Sequence, residues 1–177
     1  MTPAALSSLY DAVRDVPDFP KPGVVFKDIM PVLSDGALFS LTIDAIQETM
    51  AGQKVDKIVA IDARGFIFAG AVADRLKAGF VPVRKKGKLP WQTIGTAYSL
   101  EYGENVIEMH RDGVLPGERV WLVDDVLATG GTGAAAAKLV QELGGELAGI
   151  TFLVELSFLH GRAALPPGVP VHAVLVY

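Results

Sequence analysis

Continuous apolar runs alternate with amphipathic segments along most of the chain. The apolar runs predict strands over residues 58–62, 80–85, 105–110, 119–125, 147–155 and 171–177. Helices are predicted over residues 4–15, 38–50, 66–77 and 133–143. Because predicted strands and helices alternate, we expect an α/β protein with a mostly parallel twisted sheet flanked by helices. The strand over 105–110 is expected to join that sheet as an antiparallel addition.

Two passages interrupt this alternation. Prolines between residues 17 and 31 predict an extended rather than a helical passage. Residues 86–102 are bounded by glycine and proline and predict a loop that is long for a compact domain. Such loops tend to be functional lids, so we expect residues 86–103 to form a flexible active-site loop. With no repeat or linker in view, residues 1–177 are predicted to form a single domain.

An acidic pair followed by a small-residue loop is the most informative motif. The strand predicted over 119–125 ends in Asp124 and Asp125, and a Thr/Gly loop then leads into a predicted helix. A helix N-terminus offers free amide groups and a positive dipole end to a phosphate, and glycine lets the backbone approach it closely. The carboxylates could accept a ribose diol or hold its metal. The predicted phosphate loop comprises Ala128, Thr129, Gly130, Gly131 and Thr132.

Other classes of protein also place carboxylates at a strand end. P-loop nucleotide hydrolases do so to bind magnesium, but they also need the motif G-x-x-x-x-G-K-[ST]. The nearest match runs from Gly65 to Gly70, and Ala71 and Val72 stand where Lys and Ser or Thr are required. That interpretation therefore fails. A purely structural strand-turn-helix is the remaining alternative, although it would not need two carboxylates before the turn.

Composition and charge limit the partners, the chemistry and the location that this chain can have. A net charge of −4 argues against broad nucleic-acid binding. The absence of Cys excludes disulfides and thiolate catalysis. No run of about 18 apolar residues is free of charged residues or Pro, so we expect no membrane span. The N-terminus lacks the pattern of a secretory signal, and a soluble cytoplasmic protein is therefore expected.

A cluster of cations stands out against the negative net charge. It follows a predicted strand and consists of Arg84, Lys85, Lys86 and Lys88. Such a run is often only a solvated surface, but ligands of open α/β sheets bind at the carboxyl ends of strands. We therefore favour a site for a small polyanion such as pyrophosphate. Arg64 also lies between a predicted strand and a helix, where contact with an anion is favoured over a local ion pair.

Five segments carry a resemblance to a known family. Residues 123–133, VDDVLATGGTG, resemble the phosphoribosyl-pyrophosphate (PRPP) loop of type I phosphoribosyltransferases. Four further segments resemble the adenine-directed branch of that family and occur in its order, at residues 17–28, 63–66, 84–90 and 98–103. The likeness covers nearly the whole chain. It implies a type I phosphoribosyltransferase-like fold and purine salvage, in which adenine displaces pyrophosphate from PRPP to give AMP.

The resemblance also implies residue roles. It assigns binding of the ribose hydroxyls to Asp124 and Asp125, and binding of the 5′-phosphate to the loop that follows. It assigns binding of the pyrophosphate to Arg64, Arg84, Lys85 and Lys88. Mg²⁺ would be bound mainly through PRPP or pyrophosphate, since no dedicated protein cage is visible. Adenine is assigned to a base-binding segment over residues 1–35 and to Val25, Phe26, Lys27 and Val126.

Glu101 matches the glutamate that handles a purine ring proton in the family, and it is the predicted catalytic residue. Lys27 departs from the family's usual Arg, and Met30 stands where Ser or Thr is common. The resemblance further implies a homodimer. Two alternatives stay open: a PRPP-sensing regulator of the same fold, and a phosphoribosyltransferase for xanthine or guanine.

Overall fold

The computed structural model describes residues 1–100 and 103–177. The chain divides into two compact units, Met1–Glu48 and Thr49–Tyr177. The division falls after residue 48 rather than at residue 35. The predicted single domain and the base-binding role of residues 1–35 stay predictions.

The first unit consists of three helices and a hairpin: α1 (Pro3–Ala12), β1 (Arg14–Pro17), β2 (Val25–Asp28), α2 (Met30–Ser34) and α3 (Gly36–Glu48). Helix α1 begins there because Thr2 accepts a hydrogen bond from the Ala5 amide and Pro3 suits the first turn. Strands β1 and β2 pair antiparallel. Leu9 of α1 and Ile46 of α3 are buried where the helices pack.

The second unit is built on a seven-stranded sheet in the order β5-β6-β4-β3-β7-β8-β9. Its elements are β3 (Lys57–Ile61), α4 (Arg64–Leu76), β4 (Gly79–Lys85), β5 (Thr93–Leu100), β6 (Gly103–His110), β7 (Arg119–Leu127), α5 (Gly131–Glu142), β8 (Glu146–Glu155), two 3-10 helices (Ser157–Leu159 and Gly161–Ala164) and β9 (Val171–Val176). Strands β3, β4, β7, β8 and β9 pair in parallel. The predicted mostly parallel sheet is confirmed.

The sheet is mostly buried because its central strands are apolar on both faces. The first four residues of α5 after Gly133 are alanines, and three of them are buried beside the sheet. Strand β6 pairs antiparallel with both β4 and β5, as predicted for residues 105–110. None of the helices in the described part of the chain is long and apolar enough to cross a lipid bilayer.

The prediction of one long loop over residues 86–102 is wrong, because strand β5 lies inside it. Ile94, Thr96 and Tyr98 alternate along β5, and Thr96 is buried while Ile94 and Tyr98 pack against the core. Gly95 and Ala97 lie between them and are not polar, and the inward residue Thr96 is not apolar, so the alternation is hidden in the sequence. The mobility expected for residues 86–103 stays a prediction.

The extended passage up to Pro31 is only partly correct. Residues 25–28 are extended, as expected, but Met30–Ser34 is a short helix. Pro31 is tolerated there because it lies in the first helical turn, where its missing amide hydrogen has no helical partner to lose. Helix α1 ends at Ala12 rather than at residue 15 because the following residues pair with β2.

Candidate active site

A cavity of about 360 Å³ lies at the carboxyl ends of the parallel strands in the second unit. Its wall combines the ends of β3 and β7, the predicted phosphate loop and the first residues of α4 and α5. Lys85, Tyr98, Ile107 and Phe152 complete the lining. This is the edge of an open α/β sheet at which ligands bind.

The acidic pair forms the floor of this cavity. Asp124 is 9% exposed and Asp125 is 6% exposed. The amide of Asp125 donates a hydrogen bond to Oδ1 of Asp124 at 2.9 Å. Nε of Arg64 lies 2.6 Å from Oδ2 of Asp125 as an ion pair, although that oxygen accepts no hydrogen bond within the described residues. Arg64, predicted to bind the pyrophosphate, and Asp125, predicted to bind the ribose hydroxyls, are thus in contact.

Burial governs the protonation of the pair. It raises the pKa of the Asp124 carboxyl well above its usual range, and the neighbouring charge of Asp125 acts in the same direction. Burial also raises the pKa of Asp125, and the guanidinium of Arg64 opposes that rise. The two carboxyl groups titrate together, and the site resists two full negative charges. Hydroxyl donors from a ligand would favour the ionised form.

The phosphate loop has the backbone geometry that anion binding requires. Gly130 has a φ of +82°, in the left-handed region that favours glycine. The amide of Ala134 donates to the carbonyl of Gly130 at 2.9 Å, so the amides that precede Ala134 at the start of α5 have no partner within the helix. These amides border the cavity and are available to a phosphate.

A short loop joins β3 to α4, and the first turn of α4 packs tightly on Asp124. A Cβ atom added at Gly65 would collide with Oδ1 of Asp124. The Asp62–Ala63 peptide bond in this loop is cis. The main chain at Gly65 lies directly against Asp124, and the neighbouring Arg64 lines the cavity.

The four predicted pyrophosphate ligands divide into two pairs. Arg64 and Lys85 line the cavity, whereas Arg84 and Lys88 are not part of its lining. Nε of Arg84 donates to Oδ2 of Asp62 at 2.8 Å, and its Nη1 donates to the carbonyl oxygen of Lys88 at 3.0 Å. Arg84 therefore joins two loops beside the cavity, and the pyrophosphate roles of all four stay predictions.

The predicted adenine contacts occupy both units. Val25, Phe26 and Lys27 lie on β2 of the first unit, where Nζ of Lys27 is 2.5 Å from Oδ1 of Asp15. Val126 lines the cavity in the second unit. Their union in one adenine pocket stays a prediction. Glu101 lies outside the described residues, and its catalytic role also stays a prediction.

Three features of the site were not predicted from the sequence. Asp62 lines the cavity and holds Arg84, and its position at a strand end was an available signal. Tyr98 lines the cavity from β5, the strand that was interpreted as loop. Gly161 lies against the phosphate loop from 31 residues further along the chain than Gly130, and no local motif marks that contact.

Comparisons with known proteins agree with this geometry. The phosphoribosyl transferase domain model matches residues 37–164. An adenine phosphoribosyltransferase of Mesorhizobium japonicum is 52% identical over 99% of the chain and 97% of the relative.

Solved structures extend the likeness to the fold. An adenine phosphoribosyltransferase from Rhodothermus marinus superposes with a TM-score of 0.94 at 53% identity, covering 99% of this chain and 100% of that one. The Saccharomyces cerevisiae adenine phosphoribosyltransferase, solved with an imino-altritol bisphosphate and adenine, gives 0.92 at 38% identity, with 98% and 99% covered.

Proposed function

The chain belongs to the adenine phosphoribosyltransferases of the phosphoribosyltransferase family, and we propose that it forms AMP and pyrophosphate from adenine and PRPP. It is a purine-salvage transferase. In the reaction, a bond forms between a ring nitrogen of adenine and C1 of the ribose, and the bond from C1 to the pyrophosphate oxygen breaks. The ring nitrogen loses its proton, and Glu101 is the proposed group that handles it.

The observation that carries this proposal is the convergence of three chemistries on one cavity. Buried carboxylates, free amides at a helix N-terminus and two cationic side chains all face the same space of about 360 Å³. A ribose with a phosphate at one end and a diphosphate at the other requires these three kinds of partner.

Binding and orientation follow from the positions of these groups. We assign the 5′-phosphate to the amides of the phosphate loop and the ribose hydroxyls to Asp124 and Asp125. With both ends of the sugar held, C1 is oriented toward the base and the reaction becomes effectively unimolecular. With the ribose bound in this way, the negative charge of the carboxylates would stabilise the positive charge that develops on the sugar in the transition state.

The departing pyrophosphate needs cationic partners. Arg64 and Lys85 line the cavity and are the first candidates. Arg64 must exchange at least part of its contact with Asp125 for the diphosphate. Before the substrate binds, the guanidinium of Arg64 and the carboxylate of Asp125 are paired with each other, which limits the cost of burying either charge alone.

The expected Mg²⁺ does not fit a site made by the protein alone. Among the described residues, no group of three or more His, Cys, Asp and Glu side chains is placed to hold a metal ion. Arg64 already occupies Oδ2 of Asp125. We therefore propose that Mg²⁺ binds together with PRPP. Oxygen atoms of the diphosphate, rather than protein side chains, would be its main ligands.

The experiment that tests the function is steady-state turnover with PRPP and each of adenine, guanine, hypoxanthine and xanthine. The proposal expects AMP and pyrophosphate from adenine as the preferred reaction. Turnover of another purine in preference to adenine would reassign the substrate. PRPP binding without turnover of any base would favour the regulatory alternative.

A homodimer, which the family resemblance implies, and a cytoplasmic location, which the sequence predicts, complete the proposal. Sedimentation velocity of the purified chain measures the first, and a mass near 18.7 kDa rather than twice that value would contradict the dimer. Fractionation of cells that express the chain measures the second.

A further inference from the structure

A short segment behind the phosphate loop is anchored by an ion pair that takes no direct part in the proposed chemistry. The 3-10 helix Gly161–Ala164 comes shortly after β8. Glu155, the last residue of β8, stands opposite Leu127, the last residue of β7 before the phosphate loop. Glu155, which anchors the 3-10 helix, therefore lies beside the end of the strand that leads into the phosphate loop.

The ion pair joins Glu155 to Arg162 through two hydrogen bonds. Nε of Arg162 donates to Oε1 at 2.8 Å and Nη2 donates to Oε2 at 2.6 Å. Nη1 donates to the carbonyl oxygen of Val171 at 2.8 Å. Glu155 is 6% exposed, and its hydrogen bond raises the pKa of the Arg162 guanidinium. A planar guanidinium held by three oxygen atoms restrains the 3-10 helix that carries it relative to Glu155 and Val171.

The anchored segment packs against the phosphate loop through main-chain atoms. A Cβ atom at Gly161 would collide with the carbonyl oxygen of Ala128, and a Cβ atom at Gly130 would collide with the carbonyl oxygen of Gly161. The Cβ of Ala164 is 3.0 Å from the same added position at Gly130. With no side chain between the two backbones, a shift of the 3-10 helix passes directly to the loop.

We propose that the Glu155–Arg162 ion pair positions the phosphate loop, by holding Gly161–Ala164 against the rear of Ala128 and Gly130. The identity of the phosphate ligand rests on the proposed function. Arg162 is a positioning residue, since it does not line the cavity. Amide groups recognise a phosphate through their directions, so a loop without this support would have to be ordered when the ligand binds.

The test measures two ligands with purified wild-type protein and variants by titration calorimetry. AMP carries the 5′-phosphate but no diphosphate, and pyrophosphate carries only the other end of the substrate. In Arg162→Ala, AMP affinity should fall about ten- to a hundred-fold. Pyrophosphate affinity should stay within about twofold, because its candidate ligands lie on other elements. In turnover, KM for PRPP should rise while KM for adenine stays constant.

Two conservative variants keep the test decisive if Arg162→Ala does not fold. Arg162→Lys retains the positive charge but loses the paired hydrogen bonds of the guanidinium. Glu155→Gln retains the volume of the side chain and loses its negative charge. Both should weaken AMP binding relative to the wild-type protein, and neither should change pyrophosphate binding. Equal losses for AMP and pyrophosphate in these variants would mean a general effect on the fold and would overturn the inference.

The chain offers a matched control at the opposite end of β7. Nη1 of Arg119 is 2.5 Å from Oε1 of Glu146, and its Nε donates to the carbonyl oxygen of Lys54. Arg119→Ala should lower the melting temperature without changing either affinity. If Arg162→Ala behaves in the same way, the ion pair is only structural and the inference is wrong.

The proposed function can fail separately. Wild-type protein that binds AMP and pyrophosphate but turns over no adenine would refute the function, and the comparison between the two ligands would still decide the role of Arg162. Wild-type protein that does not bind AMP would overturn both.

Discussion

Relative to the wild-type protein, the Asp124→Asn variant should gain stability as pH rises, because the substitution removes a carboxyl that is buried. In the wild-type protein, burial raises the pKa of Asp124 in the folded state above its value in the unfolded chain. A carboxyl with a raised folded-state pKa contributes stability that is fully present below the unfolded value and is lost as pH rises through the folded value. Asn carries no charge at any pH, so the Asp124→Asn variant lacks this loss.

The magnitude can be set against other effects of the substitution. The Asn oxygen can keep the hydrogen bond from the Asp125 amide, but its buried NH₂ group lacks an assured partner, which costs about 1–3 kcal/mol. That cost does not depend on pH. The pH dependence of the difference in stability between variant and wild type therefore reports the titration of the acidic pair, separately from this constant cost. A 1 kcal/mol change would shift the melting temperature by about 2–4 °C in a chain of this size.

The assay is scanning calorimetry of both proteins between pH 4 and pH 8. The melting temperature of Asp124→Asn minus that of the wild type should rise with pH. Asp112→Asn is the control, because it makes the same substitution at an exposed position in a turn. A difference for Asp124→Asn that is flat across the range, like that of the control, would refute the argument. Separately, PRPP affinity should fall about 5- to 150-fold, for the loss of one charge-assisted hydrogen bond.

Three further predictions concern chemistry, charge and packing. Glu101→Leu should lower turnover by roughly 10²–10⁴-fold with PRPP binding unchanged, and full turnover would remove its assigned role. Lys85→Ala should weaken pyrophosphate binding more than AMP binding, and more than Lys88→Ala does, since only Lys85 of the two lines the cavity; equal effects on both ligands would contradict this. Gly149→Ala should lower the free energy of unfolding by about 1–3 kcal/mol, because the new Cβ would collide with the buried ring of Trp121; denaturant unfolding measures it, and wild-type stability would contradict it.

Sequence patterns were sufficient where one strand or one loop carries the signal. Strands β3, β7 and β8 were predicted because they are buried along most of their length and therefore consist of continuous apolar runs. Strand β5 was missed because its inward positions alternate with Gly, Ala and Ser. The alternation that marks a half-buried strand is too weak in such a segment to separate it from a loop.

The candidate site shows the same limit. The acidic pair and the phosphate loop lie within nine consecutive residues, so one strand-loop-helix motif contains them. The contacts that support this motif come from distant parts of the chain. Asp62 meets Arg84 across 22 residues, and Gly161 meets the phosphate loop across a strand and a helix. Pairs of this kind are set by the topology of the sheet, which a local pattern does not contain.

The glycines of the site connect its geometry to its chemistry. Gly65 faces a carboxylate oxygen of Asp124, and Gly130 and Gly161 face each other's loops, so each permits a main-chain contact with a group that we assign to substrate binding. A methyl group at any of them must displace that group, and a shift of about 1 Å in a reacting geometry can cost about a hundred-fold in rate. Gly149 differs because it faces the core ring of Trp121, so its substitution should act on stability first. Substitutions at Gly65 or Gly161 should therefore impair substrate binding at conditions where the protein is still folded.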